Sequence, residues 1–471
     1  MRNAFRSCGR VAVLLGLLLS LVATPALADG RPVGSGLGMG GRKVTLAAGL
    51  ALPIPSYSRQ TKLPCNACHT AFPQLTQFGR LFKLNGYTMT GIETVTAGKG
   101  AAGEGLTLDL IPPVSVMLQS SVTHVSSAPP GTQNDQVEFP DQLSLFVGEA
   151  ITPRIGTFLQ FTYAGPDGSF GWDNADIRFA NHGTLVGRPL IYGVTLNNNP
   201  SVQDVWNSTP AWSWPFTGSS VAPTPVAATA IEGDLAQRVA GLGAYIFWNN
   251  LLYAELSGYR SAPQGGPHPA DATAEQTIKG VTPYWRVALS HAAGKQDIEV
   301  GTFGLATRAY PSGVNGLTNQ YIDVGVDGQY SYSFGNSNLT VHGSYVHEQQ
   351  RLNAGFDSGA SQNSRDVLRS FKADANLVLP SGIAPGLGYF SSSGGADAGL
   401  YPPGEVFGSS SGRPNSNGVI AELDFNPWLN TRLTAQYVLY SKFNGSRDNY
   451  DGAGRGAADN NTLYVMAWLV F

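Results

Sequence analysis

Asn461-Thr-Leu-Tyr-Val-Met-Ala-Trp-Leu-Val-Phe471 alternates with period two. Successive strand side chains point to opposite faces, so Leu463, Val465, Ala467, Leu469 and Phe471 share one face. The other face carries Tyr464, Met466 and Trp468 and is also apolar. A short run like this suits a buried sheet strand as well as a lipid-facing one. Runs upstream separate the two. In Phe371-Lys-Ala-Asp-Ala-Asn-Leu377, Lys372, Asp374 and Asn376 oppose an apolar set. Asp323 and Asp327 oppose Ile322, Val324 and Val326; Glu422 and Asp424 share one face of 419–425. Arg432, Thr434 and Gln436 oppose Leu433, Ala435 and Tyr437, and Arg286 opposes Trp285 and Val287. A soluble β-sandwich has the same period. The connections do not fit one. Short turns at 152–154, 249–250, 292–295, 335–338, 380–382 and 426–427 alternate with long stretches. The long ones lie near 126–141, 164–173, 199–235, 261–280, 310–319, 350–366, 391–416 and 442–459. Tight turns at one end and long loops at the other mark an outer-membrane β-barrel, here of about 16 strands. An even count puts both barrel ends on the periplasmic side.

Composition agrees. Charged residues are 13% of the chain, against roughly 25% in ordinary globular domains. Glycines number 58 in 471 residues, well above the usual ~7%. A net charge of −3 gives no basic footprint for nucleic acid. No stretch after the N-terminal region is apolar enough for a spanning helix. The terminal Phe471 resembles the assembly signal of bacterial outer-membrane barrels.

The N-terminal region reads as an export signal. Arg2, Arg6 and Arg10 precede an apolar run over 11–22, and Ala26-Leu-Ala28 offers a small-residue cleavage site. Residues 1–28 are therefore expected to leave, taking Cys8 with them, and 29–47 form a Gly-rich lead containing Met39. Cys65 and Cys68 remain as the only cysteines. An oxidising compartment without a disulfide is consistent if both thiols are otherwise consumed.

Their setting is Cys65-Asn-Ala-Cys-His69, a Cys-x-x-Cys-His run, the attachment signal for a c-type haem. Two thiols a helical turn apart can form thioethers to one porphyrin, with the adjacent imidazole as proximal ligand. A zinc site would need two further ligands nearby. A thioredoxin-like pair would sit beside a βαβ pattern and would not need His69. Residues 48–104 are expected to form a small α-helical cytochrome segment, and 105–471 the barrel. Phe72, Leu75, Phe78 and Phe82 recur at helical spacing before a stop at Asn85-Gly86. Phe72, Phe78 and Phe82 are candidates to pack against the haem. Met89, after the stop, is the candidate distal ligand, the alternative being a packing methionine with a histidine, another ligand or water on the iron; the other methionines past the leader are Met39, Met117 and Met466, and His124 is the nearest alternative histidine. Arg59, Arg80 or Lys83 can pair with propionates or form a solvated helix face. So small a segment needs cover from elsewhere.

Ser58-Arg-Gln-Thr61, Phe72-Pro-Gln-Leu75, Phe78-Gly-Arg80, Phe82-Lys83 and Asn85-Gly-Tyr87 surround the motif. This stretch resembles the fused monohaem cytochrome–porins of iron-oxidising bacteria, the outer-membrane Fe(II) oxidases. Asn198-Asn-Pro-Ser-Val-Gln-Asp-Val-Trp206 and Thr209-Pro-Ala-Trp212 resemble that family's long loop. Lys62-Leu-Pro64 stands where the family is expected to carry a glycine. The resemblance implies one haem c in or at the barrel lumen, taking electrons from extracellular Fe(II) to a periplasmic cytochrome or similar acceptor. That is an oxidoreductase acting by outer-sphere transfer, embedded in outer-membrane lipid. Lumen carboxylates such as Asp323, Asp327, Asp374, Glu422 and Asp424 could attract the cation, or be polar only because water is present. Two rival readings are a solute porin with a haem redox plug and, with an open distal position, a peroxidase or gas-binding haem.

Overall fold

The computed structural model describes residues 55–90, 94–99, 105–109, 113–264 and 266–471. The expected leader at 1–28 and the Gly-rich 29–47, with Met39, lie outside the described residues.

Among the described residues, sixteen strands close into one antiparallel ring. They are β1 (Val114–Val125), β2 (Gln136–Thr152), β3 (Ile155–Ala164), β4 (Ser169–Leu185), β5 (Arg188–Asn197), β6 (Val239–Trp248), β7 (Leu252–Ser261) and β8 (Thr282–Ala293). The ring continues through β9 (Gln296–Tyr310), β10 (Asn319–Phe334), β11 (Ser337–Arg351), β12 (Arg365–Val378), β13 (Ile383–Gly394), β14 (Ser416–Trp428), β15 (Thr431–Lys442) and β16 (Thr462–Val470). Each strand pairs with the next. β16 then pairs with β1, placing Val465 opposite Val122 and Trp468 opposite Gln119. A closed ring leaves no unpaired edge, which is what lets strands cross a membrane. A two-residue strand, Thr277–Ile278, is laid against Ala309 and Tyr310 of β9. Strands Thr94–Lys99 and Gly105–Asp109 form a separate hairpin, so the barrel ring itself begins at β1.

The short turns and long connections fall largely where expected. An additional tight turn lies between Leu185 and Arg188. The one expected at 426–427 falls after Trp428 instead, because β14 extends through both residues. Alternation sets the faces. Leu242, Leu256 and Val300 are more than 60% exposed on the outside, while alternate positions point inward. The apolar outside and polar inside are those of an outer-membrane-type barrel.

Much of the interior is filled. The connection over 198–238 turns into the lumen rather than standing outside, and Val202, Val205 and Trp206 are fully buried there. Its backbone needs partners away from water, and Asp204 supplies them by accepting from the amides of Trp206, Ser208 and Thr209. Arg286 of β8 reaches Asp204 at 3.4 Å, Glu299 at 3.2 Å and Asp327 at 2.7 Å, all without exposure. The Arg286 guanidinium also lies over the Trp206 ring. Glu348 accepts from the Ala230 amide and Asp323 from that of Ile231.

Candidate functional site

Among the described residues, three short helices precede the barrel: α1 (Ser56–Thr61), α2 (Cys65–Cys68) and α3 (Gln77–Leu84). They lie inside the ring, and wall residues without side chains make the room. A Cβ on Gly148 of β2 would come within 2.8 Å of the Tyr57 ring. One on Gly156 of β3 would meet the carbonyl oxygen of Gly86 at 2.1 Å. Tyr57 donates to Thr157 O, stacks on Tyr87 at 5.6 Å and meets Phe82 edge-on at 5.0 Å. Tyr87 donates to Asp176, which pairs with Arg178 at 2.7 Å. Tyr245 of β6 donates to Leu84 O at the end of α3.

Helix α2 is a single turn that begins at Cys65 and ends at Cys68, so both thiols stand on one short arc. Helix α3 holds that turn in place. Thr76 caps α3 by accepting from the Gly79 amide, and the same hydroxyl donates to Ala67 O. The Thr76 amide donates to Cys68 O. Such a cap contributes roughly 0.5–2 kcal/mol. Gly79 sits so close that a Cβ there would be 2.2 Å from Cys68 O, which explains the glycine in Phe78-Gly-Arg80.

His69 follows with Nδ1 3.2 Å from Pro73 O. A carbonyl can only accept, so Nδ1 carries the proton and Nε2 keeps its lone pair. Burial pushes the imidazole down to about 4, overriding the backbone hydrogen bonds that raise it. It is therefore neutral, as a metal-ligating histidine must be. Burial, with Cys65 close by, pushes the Cys68 thiol up to about 11.

Cys65, Cys68 and His69 all border one cavity of about 1310 Å³. Phe72, Leu75, Phe82, Phe146, Trp212, Trp214, Trp468 and Met117 cover it. The turn residues Pro380, Gly382 and Leu429 also line it, which puts it at the short-turn end. The ring of His69 is 4.8 Å from that of Phe72, which is 5.2 Å from Trp468. Arg432 donates to Phe72 O and lies over Trp468. Two thiols, a neutral imidazole with a bonded Nδ1 and flat aromatic cover fit a porphyrin attached at this turn.

Not every expected residue gathers here. Phe78 is half-buried and not among the cavity walls. Met89 is 39% exposed, outside the walls, with its carbonyl held by Gln60. Met117 of β1, not singled out by the sequence, lines the cavity; Met466 is buried beside it in one apolar cluster. His124 pairs with Asp135 at 2.6 Å, at the far end of β1. Arg80 pairs with Asp297. Lys83 donates to Val202 O at 2.7 Å and Asp204 O at 2.8 Å. Arg59 donates to Val114 O. The five lumen carboxylates point inward as expected but are engaged. Asp327 holds Arg286, Asp323 the Ile231 amide, Asp374 His342, Glu422 Gln436 and Asp424 Thr434.

No family model and no curated protein matches the chain. Solved structures similar to it are outer-membrane barrels. An anion-selective porin of Comamonas acidovorans is 11% identical, with 76% of this chain covering 98% of that one at a TM-score of 0.45. OmpF of Salmonella typhi, solved with daunomycin, is 12% identical over 80% and 100% at 0.44. The outer membrane channel DcaP of Acinetobacter baumannii is 13% identical over 80% and 100% at 0.43.

Proposed function

We propose that this chain is an outer-membrane cytochrome–porin, an Fe(II) oxidase that moves electrons from extracellular ferrous iron to a periplasmic carrier. The observation that carries the reading is the turn at Cys65–His69, which faces a large aromatic-lined cavity inside a closed barrel. Cys65 and Cys68 supply the two sulfurs for covalent attachment, and His69 Nε2 the proximal nitrogen. A haem c so attached supplies a one-electron Fe(II)/Fe(III) couple. Pro73 O fixes the tautomer and orientation of His69. The Phe72 ring lies between those of Trp468 and His69, and Phe82 and Trp468 are buried at the wall of the cavity. Arg432 presents a cation at its wall, suited to a propionate. The exposed apolar outer faces of the strands suit lipid.

The solute-channel alternative rests on the barrel alone. The buried connection over 198–238 and the three helices occupy the space a solute would need. That favours charge over solute as the cargo.

The test is to purify the exported protein in detergent, establish covalent haem on a denaturing gel, oxidise it, and titrate with Fe²⁺. Reduction in step with added iron is expected. A coloured protein that stays oxidised with Fe²⁺ yet accepts electrons from other donors would remove iron as the substrate. A colourless one would remove the cytochrome.

A further inference from the structure

We propose that Met117, on the barrel wall, supplies the second axial donor to the iron carried by His69. This assignment rests on the haem reading above and names a ligand that lies outside the cytochrome segment.

Side chains on the cavity walls able to ligate an iron, besides His69 and the two attachment cysteines, include Met117, Tyr57, Tyr87, Lys83, Lys372, Asp173 and Asp204. All of these but Met117 have strong partners; Asp173 accepts from Thr162 and Gln237, and Asp204 from three backbone amides. Tyr57 donates to Thr157 O at 2.5 Å and Tyr87 to Asp176 at 2.7 Å. Lys83 is bonded to two carbonyls, and Lys372 pairs with Glu232 at 2.9 Å. Recruiting any of them would strip a hydrogen bond or an ion pair from a buried partner, which is costly. Met117 has only a long 3.8 Å contact from the Gln119 amide to its Sδ. Drawing that sulfur toward a metal gives up only this long contact from the Gln119 amide.

The surroundings suit a thioether. Met117 is 4% exposed, in a cluster with Trp468 and Val470. Trp468 touches Phe72, which touches His69. The sulfur thus borders the same aromatic enclosure as the imidazole. A neutral, soft donor suits an apolar wall, and His/Met ligation raises the potential. Met89, by contrast, stands exposed outside the walls.

The test uses full-length, haem-loaded protein in detergent with Met117→Ala, Met117→Leu and Met89→Ala. Wild type is expected to be six-coordinate and low-spin, with the weak long-wavelength band of sulfur-to-ferric-iron charge transfer. Both Met117 variants should lose that band, bind carbon monoxide when ferrous, and show a lowered midpoint potential. Met89→Ala should match wild type on all three. Met117→Leu keeps the wall volume, so it decides the matter if the alanine variant fails to form a heat-modifiable barrel. Retention of the band in Met117→Leu, its loss in Met89→Ala, or its absence from wild type would each overturn the assignment. A colourless wild type would instead overturn the haem reading, and this assignment with it.

Discussion

At the scale of single residues, the cavity depends on what is missing as much as on what is present. Gly156 admits the turn at Gly86, and its Cβ would collide with backbone rather than with a flexible side chain. Gly156→Val therefore cannot be relieved by a rotamer change. Overpacking of this kind costs about 1–3 kcal/mol, and here it displaces the end of α3. We expect the variant to form a barrel with a lower melting midpoint and reduced covalent haem, measured by heat-modifiable migration and haem absorbance. Normal melting with normal colour would mean the wall is more pliant than its geometry indicates. Cys65, Cys68 and His69 were legible in the sequence because attachment chemistry fixes their spacing. Gly148 and Gly156 were not, because their role lies in a contact with residues far away along the chain. Met117 was hidden for the same reason: spacing brings Met89 close to the motif, whereas folding brings a strand residue to the cavity.

Among the elements, α3 and the buried connection are locked together by Lys83. Its ammonium meets two carbonyls, and burial next to Arg178 pushes it down to about 7. Lys83→Met fills similar space but strands both acceptors, each worth roughly 1–3 kcal/mol when left unpaired in the interior. The sign of the pH effect follows from the lowered value. The folded form binds the proton less tightly than the unfolded chain, whose lysine titrates near 10.5. Wild type therefore carries a full penalty below about 7 and loses it as pH rises from there toward 10.5. The melting gap between wild type and Lys83→Met should widen over that window; a gap that narrows would contradict the assignment. The strand alternation was legible run by run. The terminal strand seemed ambiguous because both faces are apolar, and the fold explains why: Leu463 and Leu469 face outward, while Tyr464, Met466 and Trp468 are buried inward. Its inner face is part of the cavity's apolar wall rather than a watered lumen. The connection over 198–238 read as an outer loop because length alone cannot say which way a loop turns.

For the whole molecule, a sixteen-stranded ring has the circumference of a diffusion pore, but this one is packed across its width. Reconstituted in a planar bilayer, it should conduct ions far less than an open barrel of equal strand count. Deleting 211–228, between the Asp204 network and the anchors at Ala230 and Ile231, should raise the conductance. Large conductance in the intact chain would restore the solute-channel reading. The cavity walls have one more property. They draw on Tyr57, the third described residue, and on Val470, far along the chain from it. Contacts of such long sequence separation carry a large loop-closure cost and slow folding. A polypeptide cut short before its final strand would lack Trp468, the seam to β1 and one side of the enclosure. The chamber is thus closed on that side only once the last strand has been zipped onto the first.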